Sequence, residues 1–292
     1  MRVGVITRGR SLWIHFLGSE LRDRGIEVVI LNEIARKRKL LGRRFLRRRG
    51  IVNYLDLLFL VSWSKSSAKA KAIIKKVLPK NVISLMTAAE RNFDHSRPSS
   101  FSSVLRQLDR ESKNDAGITY VDFARINAPE AINSIKKLRL DRLMTCGAPL
   151  LGKQFIQNLT PILNTHCGIT PKYRGSSPIH WAIYNRDFGN IGYTIHMVSP
   201  DVDGGKVIMQ KKVKPNPQWS LTDIEWYLMR TMYLDLIEVI SSDDFSQILA
   251  QAASQDLSKD SWPPMGYFRT KLAQRNLMGV LAVFFNSQGV TP

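Results

Sequence analysis

The sequence predicts an α/β protein: an open, mostly parallel sheet flanked by helices, followed by a smaller, mainly helical C-terminal extension. Three observations carry this. Residues 2–7 (RVGVIT) are a short β-branched run of the kind that lies buried in parallel sheets. Leu12, Phe16, Leu17 and Leu21 then recur on one helical face over residues 11–24, with Gly25 to stop the helix. Residues 27–31 (EVVIL) return to strand character, and a strand, a helix and a strand this close together form a βαβ unit with parallel pairing.

The remaining elements follow in order. The first βα turn reads Arg8-Gly9-Arg10, without the glycine pattern of a dinucleotide site. Residues 35–49 (ARKRKLLGRRFLRRR) hold nine basic residues and no acid, and residues 51–63 (IVNYLDLLFLVSW) turn apolar. This pair reads either as an arm lying on an anionic membrane surface or as an inserted helical arm packed on the domain. It is too short, and carries Asn53 and Asp56, for a transmembrane span. A Lys-rich helix is expected at 66–78, a strand at 81–86, and a polar loop with a short helix at 88–116. Strands are expected at 117–123, 141–146, 161–167, 191–198 and 206–213, with helices at 127–138, 149–158 and 176–187. Asn127 should cap the first of these helices, with Pro129 in its first turn and Glu130 at the capping-box position. Pro215 and Pro217 suggest a boundary between a catalytic domain, 1–214 with a basic helical insertion at about 35–80, and an extension, 215–292. In the extension Ser220 and Asp223 should cap a long helix to residue 240, apolar at Ile224, Leu228, Met232 and Leu236. A polar segment, a Trp-Pro-Pro turn near 262 and a final helix with the patch LMGVLAVFF complete the chain.

A chain of 292 residues with 44% hydrophobic content can bury a substantial core. Its formal net charge is +19, and residues 1–50 hold 14 Lys and Arg against 4 Asp and Glu, a net of +10. Such asymmetry points to an anionic partner or to a solvated basic face. Cys146 and Cys167 make neither a disulfide framework nor a metal-ligand spacing, and no cleavable leader is visible. The expected location is the cytoplasm, at the membrane periphery if the basic arm contacts lipid.

Chemistry concentrates in residues 161–210. Asn164 and His166, two apart at a strand end, should share a face, and the turn Asp201-Val202-Asp203-Gly204-Gly205 could bring Asp203 to them. A base, an orienting carboxylate and an amide donor suit acyl transfer. An imidazole titrating near pH 6.5 is well placed for proton transfer, and a carboxylate would hold its ring. A strand histidine is commonly structural and Asp-Gly-Gly turns are frequent, so the residues alone leave that alternative open.

The run Asn164-Thr-His166-Cys-Gly168-Ile-Thr-Pro171-Lys-Tyr173-Arg174-Gly175, followed by Asp203-Gly-Gly and Val207-Ile-Met-Gln210, resembles the formyltransferases that use 10-formyltetrahydrofolate. These include the methionyl-tRNA, glycinamide ribonucleotide and sugar N-formyltransferases. The likeness is good over about residues 117–213 and rests only on the βαβ pattern over 1–32. It implies a Rossmann-like sheet, catalysis by Asn164, His166 and Asp203, and no metal. It also implies pterin contacts at Leu150, Leu151, Asp201 and Val202, and substrate contacts at Tyr173, Arg174 and Gly175. There are two departures from the family pattern. The Gly147-Ala-Pro-Leu150-Leu151 stretch is one residue short, and Cys167, a conceivable alternative nucleophile, stands where proline is common.

The implied acceptor is a small primary amine. The tRNA enzyme should end in a β-barrel, the formyltetrahydrofolate hydrolase should carry a preceding regulatory domain, and the glycinamide ribonucleotide enzyme is more compact. By elimination the expected acceptor is a phosphorylated or nucleotide-linked amino sugar. Nucleic acid is not the expected partner, and a homodimer is compatible. A basic membrane- or RNA-associated protein on an inactive scaffold is the non-enzyme alternative.

Overall fold

The computed structural model describes residues 1–9, 11–34, 117–159, 161–216, 219–258, 261–265, 269–270, 272–277 and 279. The basic stretch 35–49, the apolar stretch 51–63, the expected elements at 66–78 and 81–86, the loop 88–116 and most of the final apolar patch lie outside these residues.

Strands β1 (Arg2–Arg8), β2 (Glu27–Glu33) and β3 (Ile118–Phe123) form one half of a seven-stranded sheet. Strands β4 (Arg142–Cys146), β5 (Ile162–His166), β6 (Gly192–Met197) and β7 (Val207–Lys212) form the other. The order is β3-β2-β1-β4-β5-β6-β7. Pairing is parallel from β3 to β5, then antiparallel through β6 and β7. The order reverses between β1 and β4, and in such sheets the crevice lies beyond the strand C-termini. β5, with its C-terminal end at His166, is thus the last parallel strand before the sheet turns antiparallel.

Alternating side chains divide the core in two. On one face Val3, Val5, Val28, Ile30, Met144 and Leu163 meet helices α1 (Leu12–Asp23), α4 (Pro178–Tyr184) and α5 (Leu221–Ser241). On the other face Ile6, Val29, Leu31, Leu143 and Ile162 meet α2 (Pro129–Lys137) and α3 (Lys153–Asn158). The sheet is therefore the middle of three layers.

Helix α5 begins with the expected capping box: the Asp223 backbone N–H donates to the Ser220 hydroxyl and the Asp223 carboxylate accepts from the Ser220 N–H. Its apolar positions recur every three or four residues and enter the same core as α1 and the sheet. Trp13 of α1 lies 4.9 Å from Trp226 and 5.4 Å from Tyr233, ring centre to ring centre. Arg24 Nη2 pairs with Glu238 at 2.6 Å. Beyond α5, α6 (Phe245–Ala250) and the helical residues 272–277 follow, and Ala273 and Leu277 join the same core. No helix among the described residues is long and apolar enough to cross a membrane.

The expected cap at Asn127 and the expected start of α3 differ from the structure. Asn127 does not cap α2, whose N-cap is Ala128 without a side-chain bond. Instead Asn127 Nδ2 donates to the Leu150 carbonyl at 2.9 Å and Oδ1 accepts from Gly152 N–H at 2.7 Å. Helix α3 accordingly starts at Lys153 and not at residue 149, because these bonds hold 150–152 as a loop.

Candidate active site

The site is built where β5, β6 and the turn after β6 converge. Asn164 pairs with His196 across the β5–β6 ladder. The Thr145 hydroxyl on β4 donates to Asn164 Oδ1. With that oxygen occupied, the amide nitrogen is aimed inward, 3.0 Å from His196 Nε2 and 3.4 Å from Asp203 Oδ1. His196 Nδ1 faces the Met197 carbonyl at 2.8 Å, so that nitrogen carries hydrogen and Nε2 accepts from Asn164.

His166, two residues on, is buried. Its Nδ1 lies 3.3 Å from Asp203 Oδ2 and its Nε2 lies 2.6 Å from the Tyr173 carbonyl. Burial pushes the His166 pKa down, and more strongly than Asp203 and the Tyr173 carbonyl push it up, with His196 adding to the lowering. Burial works against ionisation of Asp203, but the neighbouring His196 and His166 imidazoles and the Gly175 N–H outweigh it and hold its carboxyl below the usual range. That N–H reaches Asp203 Oδ2 at 3.0 Å, and His196 Nε2 lies 3.6 Å from Oδ1.

The turn that delivers Asp203 depends on backbone geometry that few residues allow. Asp203 itself has φ 48°. A Cβ at Gly205 would sit 1.7 Å from the Met197 carbonyl oxygen, so only glycine fits there. Opposite, Gly175 has φ 96°, and a Cβ would come within 2.4 Å of the Trp262 carbonyl oxygen.

The structure therefore brings Asn164, His166 and Asp203 together, and adds His196 and Thr145. The strand reading of residues 191–198 passed over His196 because only the β5–β6 register makes it a neighbour of Asn164. Its one sequence signal is an imidazole inside a mostly apolar strand whose other polar side chains are Tyr193 and Thr194.

The other anticipated residues are placed variously. Leu150 is 75% exposed and Val202 38%, two of the few large apolar side chains so exposed among the described residues. Leu151 is half-buried against the second core. Asp201 is exposed, and its carbonyl accepts from Ser199 Oγ and the Gly204 N–H, both at 3.1 Å. Arg174 is buried, with Nε donating to the Val202 carbonyl at 3.0 Å. The Tyr173 ring is buried, with its hydroxyl on Asp187 at 2.8 Å, so this residue meets the site through its carbonyl. Burial pushes the Cys167 thiol up to about 12, which leaves no thiolate for attack at neutral pH.

An amide, two imidazoles and a carboxylate at the end of an open α/β sheet make a framework suited to acyl-group transfer. The chain belongs to the formyl transferase family: residues 56–240, more than half of it, match the family's model. Methionyl-tRNA formyltransferase of Finegoldia magna is 28% identical over 220 residues, covering 73% of this chain and 67% of that protein. The Borrelia hermsii enzyme of the same name is 26% identical over 192 residues, covering 64% and 60%. The chain thus spans about two thirds or less of the length of these curated relatives. A sugar N-formyltransferase structure from Shewanella sp. covers 95% of this chain and 87% of its own, with 13% identity and a TM-score of 0.48.

Proposed function

We propose that this protein transfers a formyl group from 10-formyltetrahydrofolate to the primary amine of a nucleotide-linked amino sugar. The observation that carries the transfer is the cluster of buried His166 and His196 with part-buried Asn164 and Asp203, whose partners are all within 3.6 Å. The folate supplies the activated formyl carbon and the departing N10. Leu150 and Val202, apolar and exposed on the two loops that flank the strand ends, offer the flat contact a pterin requires. The Asn127 clip on the Leu150 loop supports the same assignment.

In this reading Asn164 donates an N–H to the formyl oxygen as negative charge develops there. Thr145 holds the amide the right way round for that task. Asp203 keeps His166 oriented and stabilises its protonated form. To take the proton from the attacking amine, His166 holds its ring hydrogen on Nδ1, toward Asp203, and Nε2 exchanges the Tyr173 carbonyl for the substrate; it then returns the proton to the departing nitrogen. Arg174 and Gly175 contribute by fixing the Val202 and Asp203 side of the turn.

The amino-sugar acceptor is supported by α6, which follows the family-matched residues where a tRNA enzyme is expected to lead into a β-barrel. The second reading, methionyl-tRNA as acceptor, is favoured by the names of the curated relatives. Purified protein with 10-formyltetrahydrofolate should formylate a nucleotide-linked amino sugar in preference to glycinamide ribonucleotide and methionyl-tRNA. His166→Ala should lower kcat by roughly 10²–10⁴. Preference for methionyl-tRNA would replace the acceptor, and transfer unaffected by His166→Ala would overturn the site.

A further inference from the structure

The stretch that completes this site lies outside the family-matched residues 56–240. After α6 the chain pairs Ala253 with Val207 at the start of β7, through N–H to carbonyl bonds of 2.7 and 2.8 Å. Two residues on, Gln255 Nε2 donates to the Asp203 carbonyl at 3.2 Å and to the Gly205 carbonyl at 2.5 Å. Leu257 then covers Gly204, where an added Cβ would meet it at 3.0 Å. Further along, Trp262 N–H donates to the Arg174 carbonyl at 2.8 Å and the Trp262 carbonyl accepts from Ser176 N–H at 2.9 Å. Both pieces of chain thus grip backbone that contacts the Asp203 carboxylate: one holds Asp203 from behind, the other holds Gly175, whose N–H bonds to Oδ2.

Gln255 stands out within this strap. Its two amide hydrogens bridge carbonyls two residues apart, across a residue at φ 48° that L side chains seldom adopt. Meanwhile its own Oε1 is buried without a partner among the described residues, a cost that a purely space-filling residue would not carry. Nothing else on this side chain accounts for an amide at that position.

We propose that Gln255 is a positioning residue for Asp203: by clamping the Asp203 and Gly205 carbonyls it fixes where the carboxylate meets His166 and Asn164. This rests on the catalytic reading of Asp203 given above. Gln255 touches no reacting atom; it acts only through the turn.

The test is a double-mutant cycle of Gln255→Met and Asp203→Asn, with Gln255→Ala as a second variant should the methionine perturb folding. The first readout is the His166 imidazole titration followed by NMR in the ligand-free protein. The groups facing that ring are Asp203, His196 and the Tyr173 carbonyl. The second readout is kcat against KM with 10-formyltetrahydrofolate and a nucleotide-linked amino sugar. Asp203→Asn should lower the His166 pKa by removing the charge that raises it. Gln255→Met should move it the same way by a smaller amount and reduce kcat about tenfold with KM little changed. In the Asp203→Asn background Gln255→Met should do neither. An unchanged His166 titration in Gln255→Met, beside a shifted one in Asp203→Asn, overturns the inference alone; so does an equal further loss in both backgrounds. If Asp203→Asn changes neither the titration nor turnover, the catalytic reading of Asp203 fails and this inference with it.

Discussion

Single residues here are legible from the sequence where chemistry and local spacing coincide, and illegible where a neighbour is set by register. Asn164 and His166 share a strand face by alternation, and Asp203 sits in a turn whose glycines announce it. Thr145 and His196 reach Asn164 only because β4 and β6 flank β5. Asn127 shows the converse: its position before Pro129 is that of a cap, yet its amide bonds to Leu150 and Gly152, a pairing no local pattern encodes. One partly buried acid tests the electrostatics away from the Asn164, His166 and Asp203 cluster. Glu225 of α5 lies 3.5 Å from His180 Nδ1, and burial pushes its carboxyl up to about 7. Its folded-state pKa exceeds its unfolded one, so its contribution favours folding below about pH 4.5 and is lost as pH rises through about 7. Glu225→Gln should therefore stabilise the protein at pH 8, by about 1 kcal/mol because over a third of the side chain reaches water, and have little effect at pH 4.5. Denaturant unfolding at the two pH values checks this; an equal gain at both would exclude burial of charge as its cause.

At the scale of elements, the strongly periodic segments were the readable ones. Strands β1 and β2 and helix α1 appear within two residues of expectation, since buried β-branched runs and a one-sided apolar stripe admit no other assignment. Helix α5 was equally plain, with its cap written as Ser220 and Asp223. Helices α3 and α4 are shorter than expected because their flanks are recruited elsewhere: 150–152 to the Asn127 clip, and Ser177 to a left-handed turn at φ 56°. The cap of α5 can be weighed by itself. Ser220→Ala removes the acceptor for the Asp223 N–H and the hydroxyl that donates to the Asp223 carboxylate, and should cost about 1 kcal/mol. Thermal unfolding measures it, and Ser220→Thr, which retains the hydroxyl, should recover most of the loss.

For the molecule as a whole, the sheet layer and the residues after Pro215 depend on one core. Nine apolar side chains of α5 are buried. At about 1.5–3 kcal/mol each, their burial is as large as, or larger than, the whole net stability of about 5–15 kcal/mol expected for a domain. A chain ending at residue 216 should therefore fail to fold cooperatively, with Trp13, Val5 and Ile30 uncovered; dye binding and the absence of a sharp unfolding transition would report it. The sequence's division at Pro215 follows composition, whereas packing follows the periodicity of α5, and only the latter senses a shared core. The strap that holds Asp203 has a consequence in time. A chain made from its N-terminus presents Asn164 and His166 well before Gln255 and Trp262 exist, and the contacts between them close loops of high sequence separation. Until those late residues dock, the turn lacks the backbone bonds that Gln255 and Trp262 make, so on the proposed reading a partly synthesised chain carries Asn164, His166 and Asp203 without their final alignment. Activity would then arrive as the last event of folding.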